Sequence, residues 1–383
     1  MRVALFTDTF LPQINGVTNT LVKMLEYFNK HGIDYIVFAP EHGVANLNDI
    51  EKIERFFSIK FFLYPECRIS FPNLFRIKKT LLDYKPDVIH LMTEFSMGLS
   101  GLYYGKKYHI PTLSNYTTHF PQYLQYYNLK VFEKNAWDYM NWFHNQNEYT
   151  LCASTDTKAL LNSEGIERTA LFTRGVDTAH FTPLLRSDAL RKVFGVQDKK
   201  VLLYVGRISI EKELDVLLKA YEKIYKQYKD QIALIITGDG PELERYKKLF
   251  PPHTIFTGYK KGEELSLIYA SSDLFVFPSS TETFGNVVLE AMASGLAVIA
   301  PNKGGVKDMI SHEKNGLFFE AGDAADFGDK IARVLEDEHL YQSMRQQARI
   351  TALTRGWDKV LGQLINIYKR ASTAALNTYK KIG

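Results

Sequence analysis

Phe277-Pro-Ser-Ser-Thr-Glu-Thr-Phe-Gly-Asn-Val-Val-Leu-Glu-Ala-Met-Ala-Ser-Gly-Leu-Ala-Val-Ile-Ala300 decides the fold. Leu274-Phe-Val-Phe277 is an apolar run with the length of a buried strand. The polar stretch Pro278 to Glu282 reads as a turn, and Thr283 is placed to cap a helix. Val287, Leu289 and Met292 give that helix its apolar positions, Gly295 stops it, and Ala297-Val-Ile-Ala300 is the next strand. The unit carries one carboxylate in its loop, Glu282, and one in its helix, Glu290. Eight residues separate them, so one continuous helix would leave them roughly 80° apart. With the helix starting after Glu282, the loop is free to aim that carboxylate back toward the helix start. There the unpaired amides near Phe284, Gly285 and Asn286 form an anion site. Two carboxylates beside an anion site suit a ligand bearing hydroxyls and phosphate, as a sugar nucleotide does.

Upstream, Val201-Leu-Leu-Tyr-Val-Gly-Arg207 is another strand running into a loop, before a helix over Leu214 to Tyr228. Arg207 and Lys212 are five apart at the start of that helix, where two cations repel its positive end unless an anion arrives. Arginine grips phosphate oxygens in a fork and lysine acts as a point charge; a solvated basic loop is the bland alternative. Ile232-Ala-Leu-Ile-Ile236 leads into Thr237-Gly-Asp-Gly-Pro241, whose Gly238-x-Gly240 begins like a dinucleotide loop. Leu243 stands where the third glycine belongs, so this is a strand–helix turn near a nucleotide and not an NAD site. Ile255 to Tyr259 is a further short strand, with a nucleotide base expected against the backbone near Tyr259. Gly304-Gly305 precede a helix, Gly316 to Phe319 close the sheet, Leu335 to Ile350 is helical, and Ile365 to Lys381 is a last helix.

The first half uses the same grammar. Val3 to Phe6 is a buried strand, a polar loop runs to Asn15-Gly16, and Thr18 to Lys30 has helical spacing up to His31-Gly32. A strand passing through a glycine loop into a helix opens a doubly wound domain, with ligands at the strands' carboxyl ends. The strict dinucleotide fingerprint is missing, so Asn15-Gly16 alone is equally a plain turn. Strands follow at Tyr35 to Phe38, Asp87 to His90 and Pro111 to Ser114, and His119 lies just past the last of these, on the ligand side. Glu148 to Ser154 reads as the last strand of the first domain, with a capped helix over Thr155 to Glu164 behind it. The pattern then breaks at Thr173-Arg-Gly-Val-Asp-Thr-Ala-His-Phe-Thr-Pro183.

The chain's 383 residues, 45% apolar, suffice for two ordinary cores. Cys67 and Cys152 have no metal-like spacing and fit a reducing compartment. A net charge of +4 is mild: it permits contact with an anionic membrane and calls for no nucleic-acid partner. No apolar run nears the ~20 residues that cross a bilayer, and Asp8 interrupts the N-terminus too early for a signal peptide. A cytoplasmic protein, at most peripheral on a membrane, is expected.

The string from Pro278 to Gly295 resembles the Glu-x7-Glu signature of the retaining family-4 glycosyltransferases of the GT-B fold. The resemblance implies two facing Rossmann-like domains with a cleft between them and a C-terminal helix returning to the first. It implies an acceptor-binding domain over 1–183, completed by a helix near 363–383, and a nucleotide-sugar domain over 184–362. Glu282 is then near the donor sugar and Glu290 on the ribose hydroxyls; Phe284, Gly285, Asn286 and Val287 belong to the same donor loop. Gly206-Arg-Ile-Ser-Ile-Glu-Lys212 resembles the motif whose Arg207 and Lys212 neutralise the leaving diphosphate. Gly16 matches the glycine whose amide meets that diphosphate, and Gly238 and Tyr259 belong to the nucleotide's surroundings. His119 matches a histidine near the sugar's reacting face, although Thr117 replaces a histidine common in relatives. The implied reaction needs no cofactor and no metal, only a UDP- or GDP-sugar as donor.

The acceptor is less constrained. Residues 54–85 mix aromatics with cations, which suits a membrane interface, and an ordinary solvated helix over core aromatics suits them equally. The chain resembles relatives that glycosylate diacylglycerol or similar lipids, including glucosyl-, mannosyl- and sulfoquinovosyl-transferring members. A diacylglycerol-type lipid acceptor is therefore expected. The alternatives are a soluble acceptor, a nucleotide-sugar epimerase of the same fold, or a two-domain sugar-binding protein without catalysis.

Overall fold

The computed structural model describes residues 1–13, 15–41, 52–60, 68–117 and 130–382. The chain divides into two compact units, one of Met1–Thr173 with Asp358–Gly383, the other of Arg174–Trp357. The division falls at 173/174 and not at the expected 183/184, because the segment after Thr173 is bonded into the second unit. Val176 N donates to Arg355 O at 3.1 Å. The Arg349 guanidinium donates to Thr178 O at 3.1 Å and to Phe181 O at 2.8 Å.

Among its described residues the first unit has nine strands: β1 (Arg2–Phe6), β2 (Asp34–Pro40), β3 (Ile53–Phe56), β4 (Ser58–Lys60), β5 (Arg68–Ser70), β6 (Val88–Leu91), β7 (Thr112–Tyr116), β8 (Tyr149–Cys152) and β9 (Thr169–Leu171). Seven form a parallel sheet in the order β3-β2-β1-β6-β7-β8-β9, while β4 and β5 pair as an antiparallel hairpin. Val3, Ala4, Leu5 and Phe6 are wholly buried, as expected for a central parallel strand covered on both faces. The strand over Tyr149–Cys152 is not the last of its domain, since β9 pairs outside it. Three residues at a sheet edge carry too short a pattern to register in sequence.

The C-terminal helix spans Trp357–Ile382, starting earlier than the expected Ile365. Val360, Leu361, Leu364, Tyr368 and Ala371 form its buried stripe. Tyr368 OH lies 2.6 Å from His90 Nδ1 on β6, Ser372 Oγ donates to Asp87 O, and Lys30 pairs with Asp358. These contacts explain why the end of the chain belongs to the unit that the start of the chain builds.

The second unit has six strands: β10 (Lys200–Val205), β11 (Ile232–Thr237), β12 (Ile255–Gly258), β13 (Leu274–Val276), β14 (Ala297–Pro301) and β15 (Gly316–Phe319). All are parallel, in the order β12-β11-β10-β13-β14-β15. In both units the first strand lies mid-sheet and the order reverses beside it, between β1 and β6 and between β10 and β13. Ligands of doubly wound sheets bind at such reversals, outside the carboxyl ends of the strands. The single helix expected over Leu335 to Ile350 is two, Ala324–Glu336 and Glu338–Leu353. Asp337 separates them by capping the second, its carboxylate accepting from Leu340 N at 2.9 Å. Among the described residues no helix is long and apolar enough to cross a membrane.

Candidate functional site

Two loops leave the reversal point of the second sheet: Gly206 to Glu213 after β10, and Phe277 to Gly285 after β13. Local packing fixes the first of them. Tyr204 is fully buried, and its hydroxyl donates to Arg207 O at 2.9 Å. Gly238 has φ 146°, and a Cβ there would lie 1.9 Å from Gly206 O. A Cβ on Gly240 would lie 2.2 Å from Ile208 O. The glycine pair therefore lets the loop after β11 lie flat on the Arg207 loop, with Ile208 N donating to Asp239 O at 2.9 Å. Gly238 supports that loop from below.

Lys212 ends a single turn of 3-10 helix, Ile210–Lys212, and its ammonium pairs with the Glu282 carboxylate of the other loop. Both side chains are largely buried. Next to them the Glu213 carboxylate accepts from Ser280 N at 2.8 Å and from Ser280 Oγ at 2.9 Å. Thr281 Oγ1 adds a bond to Glu211 O at 3.2 Å. The loops are thus laced together, and Arg207 lies exposed at their mouth.

Glu282 does not turn back to the helix amides as the sequence suggested; it meets Lys212 instead. Its backbone is pinned from the far side by Gly305 N, which donates to Glu282 O at 2.8 Å. Gly304 and Gly305 do not open an α-helix but a short 3-10 turn, Gly305–Asp308. A Cβ at Gly305 would meet Thr283 O at 2.2 Å, which is why the pair is glycine. Gly285, at φ 90°, is the residue before the helix Asn286–Ala293 and has no side chain with which to cap it. Asn286 Oδ1 is buried there without a hydrogen-bond partner. Phe284, Gly285, Asn286 and Val287 therefore frame the N-terminus of that helix.

Glu290 faces the same helix's interior side, where Tyr269 OH donates to it at 3.0 Å. Burial lifts the Glu290 carboxyl to about 7, against the opposing pull of Tyr269. The Tyr269 phenol is itself pushed well up, first by burial and then by the Glu290 charge.

Arg207, Lys212, Glu282, Glu290 and the Phe284–Val287 loop are thus gathered at one end of one sheet. Tyr259 is more than half exposed beyond β12, the edge strand, away from that cluster. In the first unit Gly16 begins the helix Gly16–Lys30 beyond β1, and Asn15 caps it by accepting from Thr18 N at 2.9 Å. His119 and Cys67 lie outside the described residues.

Several residues that shape these sites carry no motif. Tyr204, Glu213, Ser280 and Tyr269 act through contacts between distant loops. Asp8 was findable, since it lies two residues past the end of β1. Its buried carboxylate accepts from Thr93 Oγ1 at 2.7 Å, Ser96 Oγ at 2.8 Å and Met97 N at 2.9 Å. It thereby occupies the N-terminus of the helix Ser96–Tyr108. Burial raises its pKa while these bonds hold it down. The first sheet's reversal point is therefore bridged by the protein's own carboxylate, Asp8, as the second sheet's is by Glu213.

Known proteins resemble this chain in sequence and fold. Residues 14–180 match the family model described as Glycosyltransferase Family 4, and residues 186–351 that of Glycosyl transferases group 1. A GDP-mannose-dependent alpha-mannosyltransferase of Mycobacterium tuberculosis (strain CDC 1551 / Oshkosh) is 33% identical over 375 residues, covering 96% of each chain. The sulfoquinovosyl transferase SQD2 of Arabidopsis thaliana is 32% identical over 91% of this chain and 69% of its own. An alpha-monoglucosyldiacylglycerol synthase of Streptococcus pneumoniae is 28% identical over 83% of this chain and 75% of its own. Among solved structures, Anabaena Alr3699/HepE in complex with UDP and glucose superposes with a TM-score of 0.75 at 20% identity, over 97% of this chain and all of that one.

Proposed function

Since the chain belongs to the family-4 glycosyltransferases and has their GT-B fold of two Rossmann-like domains, we propose that it moves glucose or mannose from a UDP- or GDP-sugar to a diacylglycerol-type acceptor. The carrying observation is the Lys212–Glu282 pair beside the start of the helix at Asn286, with Glu290 behind it. In this reading the diphosphate arrives at the helix amides, and Lys212 leaves Glu282 to meet it. Arg207 closes from the loop mouth, and the two cations stabilise charge that grows as the sugar's bond to phosphate breaks. Glu282, released, accepts from the sugar hydroxyls, and Glu290 from those of the ribose. Gly16 supplies an amide to the diphosphate and His119 flanks the reacting carbon. Gly238 and Tyr259 line the base.

The new bond forms on the face the diphosphate leaves, so configuration is retained, and the acceptor's proton passes to the departing phosphate. The cations take the charge that a metal would otherwise carry, which makes turnover metal-independent. Similarity to the pneumococcal alpha-monoglucosyldiacylglycerol synthase supports the lipid acceptor. So does the exposed set Phe57, Phe71, Leu74, Phe75 and Leu82 within residues 54–85, part of which (61–67) lies outside the described residues. We place the enzyme in the cytoplasm, against the membrane face through that segment.

The test is a panel of UDP- and GDP-glucose and -mannose against dispersed dioleoylglycerol, with and without EDTA. Lipid-dependent release of nucleoside diphosphate is expected. Release only with soluble saccharides would remove the lipid acceptor, and loss of activity in EDTA would remove metal-free turnover.

A further inference from the structure

The loops that carry Lys212 and Glu282 are joined by a residue with neither of their roles. Glu213, next to Lys212, is half-buried and has a left-handed backbone, φ 55° and ψ 35°. Glycine adopts that conformation freely, while any larger residue is strained in it. Glu213 also stands directly before the helix Leu214–Tyr228 yet makes no capping bond to it, although a short acidic side chain at that position is a common cap. The chain thus forgoes two local gains at one position, a relaxed backbone and a capped helix.

Its side chain instead crosses to the other loop. One carboxylate oxygen accepts from Ser280 N at 2.8 Å and the other from Ser280 Oγ at 2.9 Å. Ser280 is buried and stands two residues before Glu282. These bonds therefore run alongside the Lys212–Glu282 ion pair, from the neighbour of one partner to the near neighbour of the other. Thr281 Oγ1 and Ser279 Oγ add neutral and longer bonds to Glu211 O, at 3.2 and 3.4 Å. A hydrogen bond to a charged group is the stronger kind. Once Lys212 leaves Glu282 to meet a diphosphate, the Glu213–Ser280 bonds remain as a charged contact between the loops.

We propose that Glu213 is a positioning residue for the transfer step: its carboxylate, bound to Ser280, keeps the Phe277–Gly285 loop against the Gly206–Glu213 loop, so that Lys212 and Glu282 stay in place after their ion pair opens. This rests on the transferase reading above and deepens it by naming what holds the two charged groups. Glu213 acts through Ser280 and not on the sugar. Backbone strain of this kind persists where the surrounding contacts over-determine it, and here those contacts are the ones that align the site.

The experiment follows release of UDP and GDP from UDP-glucose and GDP-mannose, with dioleoylglycerol or methyl α-mannoside as acceptor. It compares wild type with Glu213→Gly, Glu213→Ala, Ser280→Ala, and Glu213→Gly combined with Ser280→Ala. Glycine suits φ 55° and alanine does not, while both remove the carboxylate. Turnover at saturating donor should fall by about 10- to 100-fold in both, and the affinity for UDP and GDP by much less, while Glu213→Gly unfolds at the higher temperature of the two. Ser280→Ala, which keeps only the main-chain donor, should lose part of that turnover. The combined variant should lose no more than Glu213→Gly alone, because both changes break the same link. Wild-type turnover in Glu213→Gly or in Ser280→Ala, turnover that follows unfolding temperature from alanine to glycine, or losses that multiply in the combined variant would each overturn the assignment and leave the transferase reading standing. Wild type that releases neither UDP nor GDP would overturn both.

Discussion

Lys212 and Glu282 are the residues through which ligand arrival is felt first. Their ion pair is largely buried, so each is the other's substitute for an absent ligand charge. Lys212→Ala should lower transfer by about 10²–10³-fold, the loss seen when one charge-stabilising donor is removed, and should weaken nucleotide binding. Glu282→Gln should lower transfer too, yet bind UDP or GDP no less tightly, because Lys212 is then released; tighter binding by Lys212→Ala than by Glu282→Gln would contradict the roles. Glu290 makes a pH statement. Its carboxyl is lifted from an ordinary 4.5 to about 7, so the folded protein holds a proton that the unfolded chain gives up. Stability therefore falls as pH rises from about 4.5 to about 7 and levels off above, by ~3 kcal/mol at most. Glu290→Gln should gain on wild type in denaturant melts as pH rises from 5 to 8. Wild-type transfer should weaken below pH 7 as Glu290 protonates and loses the charge that strengthens the bonds it accepts from the ribose. At this scale the sequence showed which carboxylates and cations matter, because motifs preserve identity. It did not show that Glu282 meets Lys212, since that depends on where two loops seventy residues apart come to rest.

Helices and strands were legible wherever apolar spacing runs long enough, as with Leu214–Tyr228, which has the bounds expected of it. Among the misses, β9 and the break at Asp337 come from a strand of three residues and from a cap inside a continuous amphipathic pattern. Asp337→Ala should cost about 1 kcal/mol and leave transfer intact. Glycines in loops separate two kinds of cost. Gly238→Ala would drive a Cβ against Gly206 O at φ 146°, and should destabilise by about 3–5 kcal/mol while disturbing the Arg207 loop. Gly32→Ala, at φ 63° with nothing within 4 Å, should cost only about 1 kcal/mol. Chemical denaturation of the two variants side by side checks the ranking; equal losses would mean that loop packing is not what Gly238 provides.

Over the whole chain, two similar sheets each have the loops at their reversal point joined by a carboxylate, Asp8 in the first and Glu213 in the second. The doubling was readable, because the strand–loop–helix grammar restarts at Val201. The point of division was not, because the bonds that assign residues 174 to 182 come from Arg349 and Arg355, far along the chain. Tyr368→Phe withdraws a phenol from His90 and should lower the stability of the first unit by about 1–3 kcal/mol, read by hydrogen exchange in β6 with the strands of the second unit unchanged. The same helix sets a schedule for synthesis. Residues 174–357 are contiguous and can complete their own core as soon as they leave the ribosome, whereas the earlier-made sheet waits for 358–382 before its last face is covered. What is translated first is thus finished last, and a nascent chain stalled before Asp358 should shield its later half from protease while its earlier half is still cut.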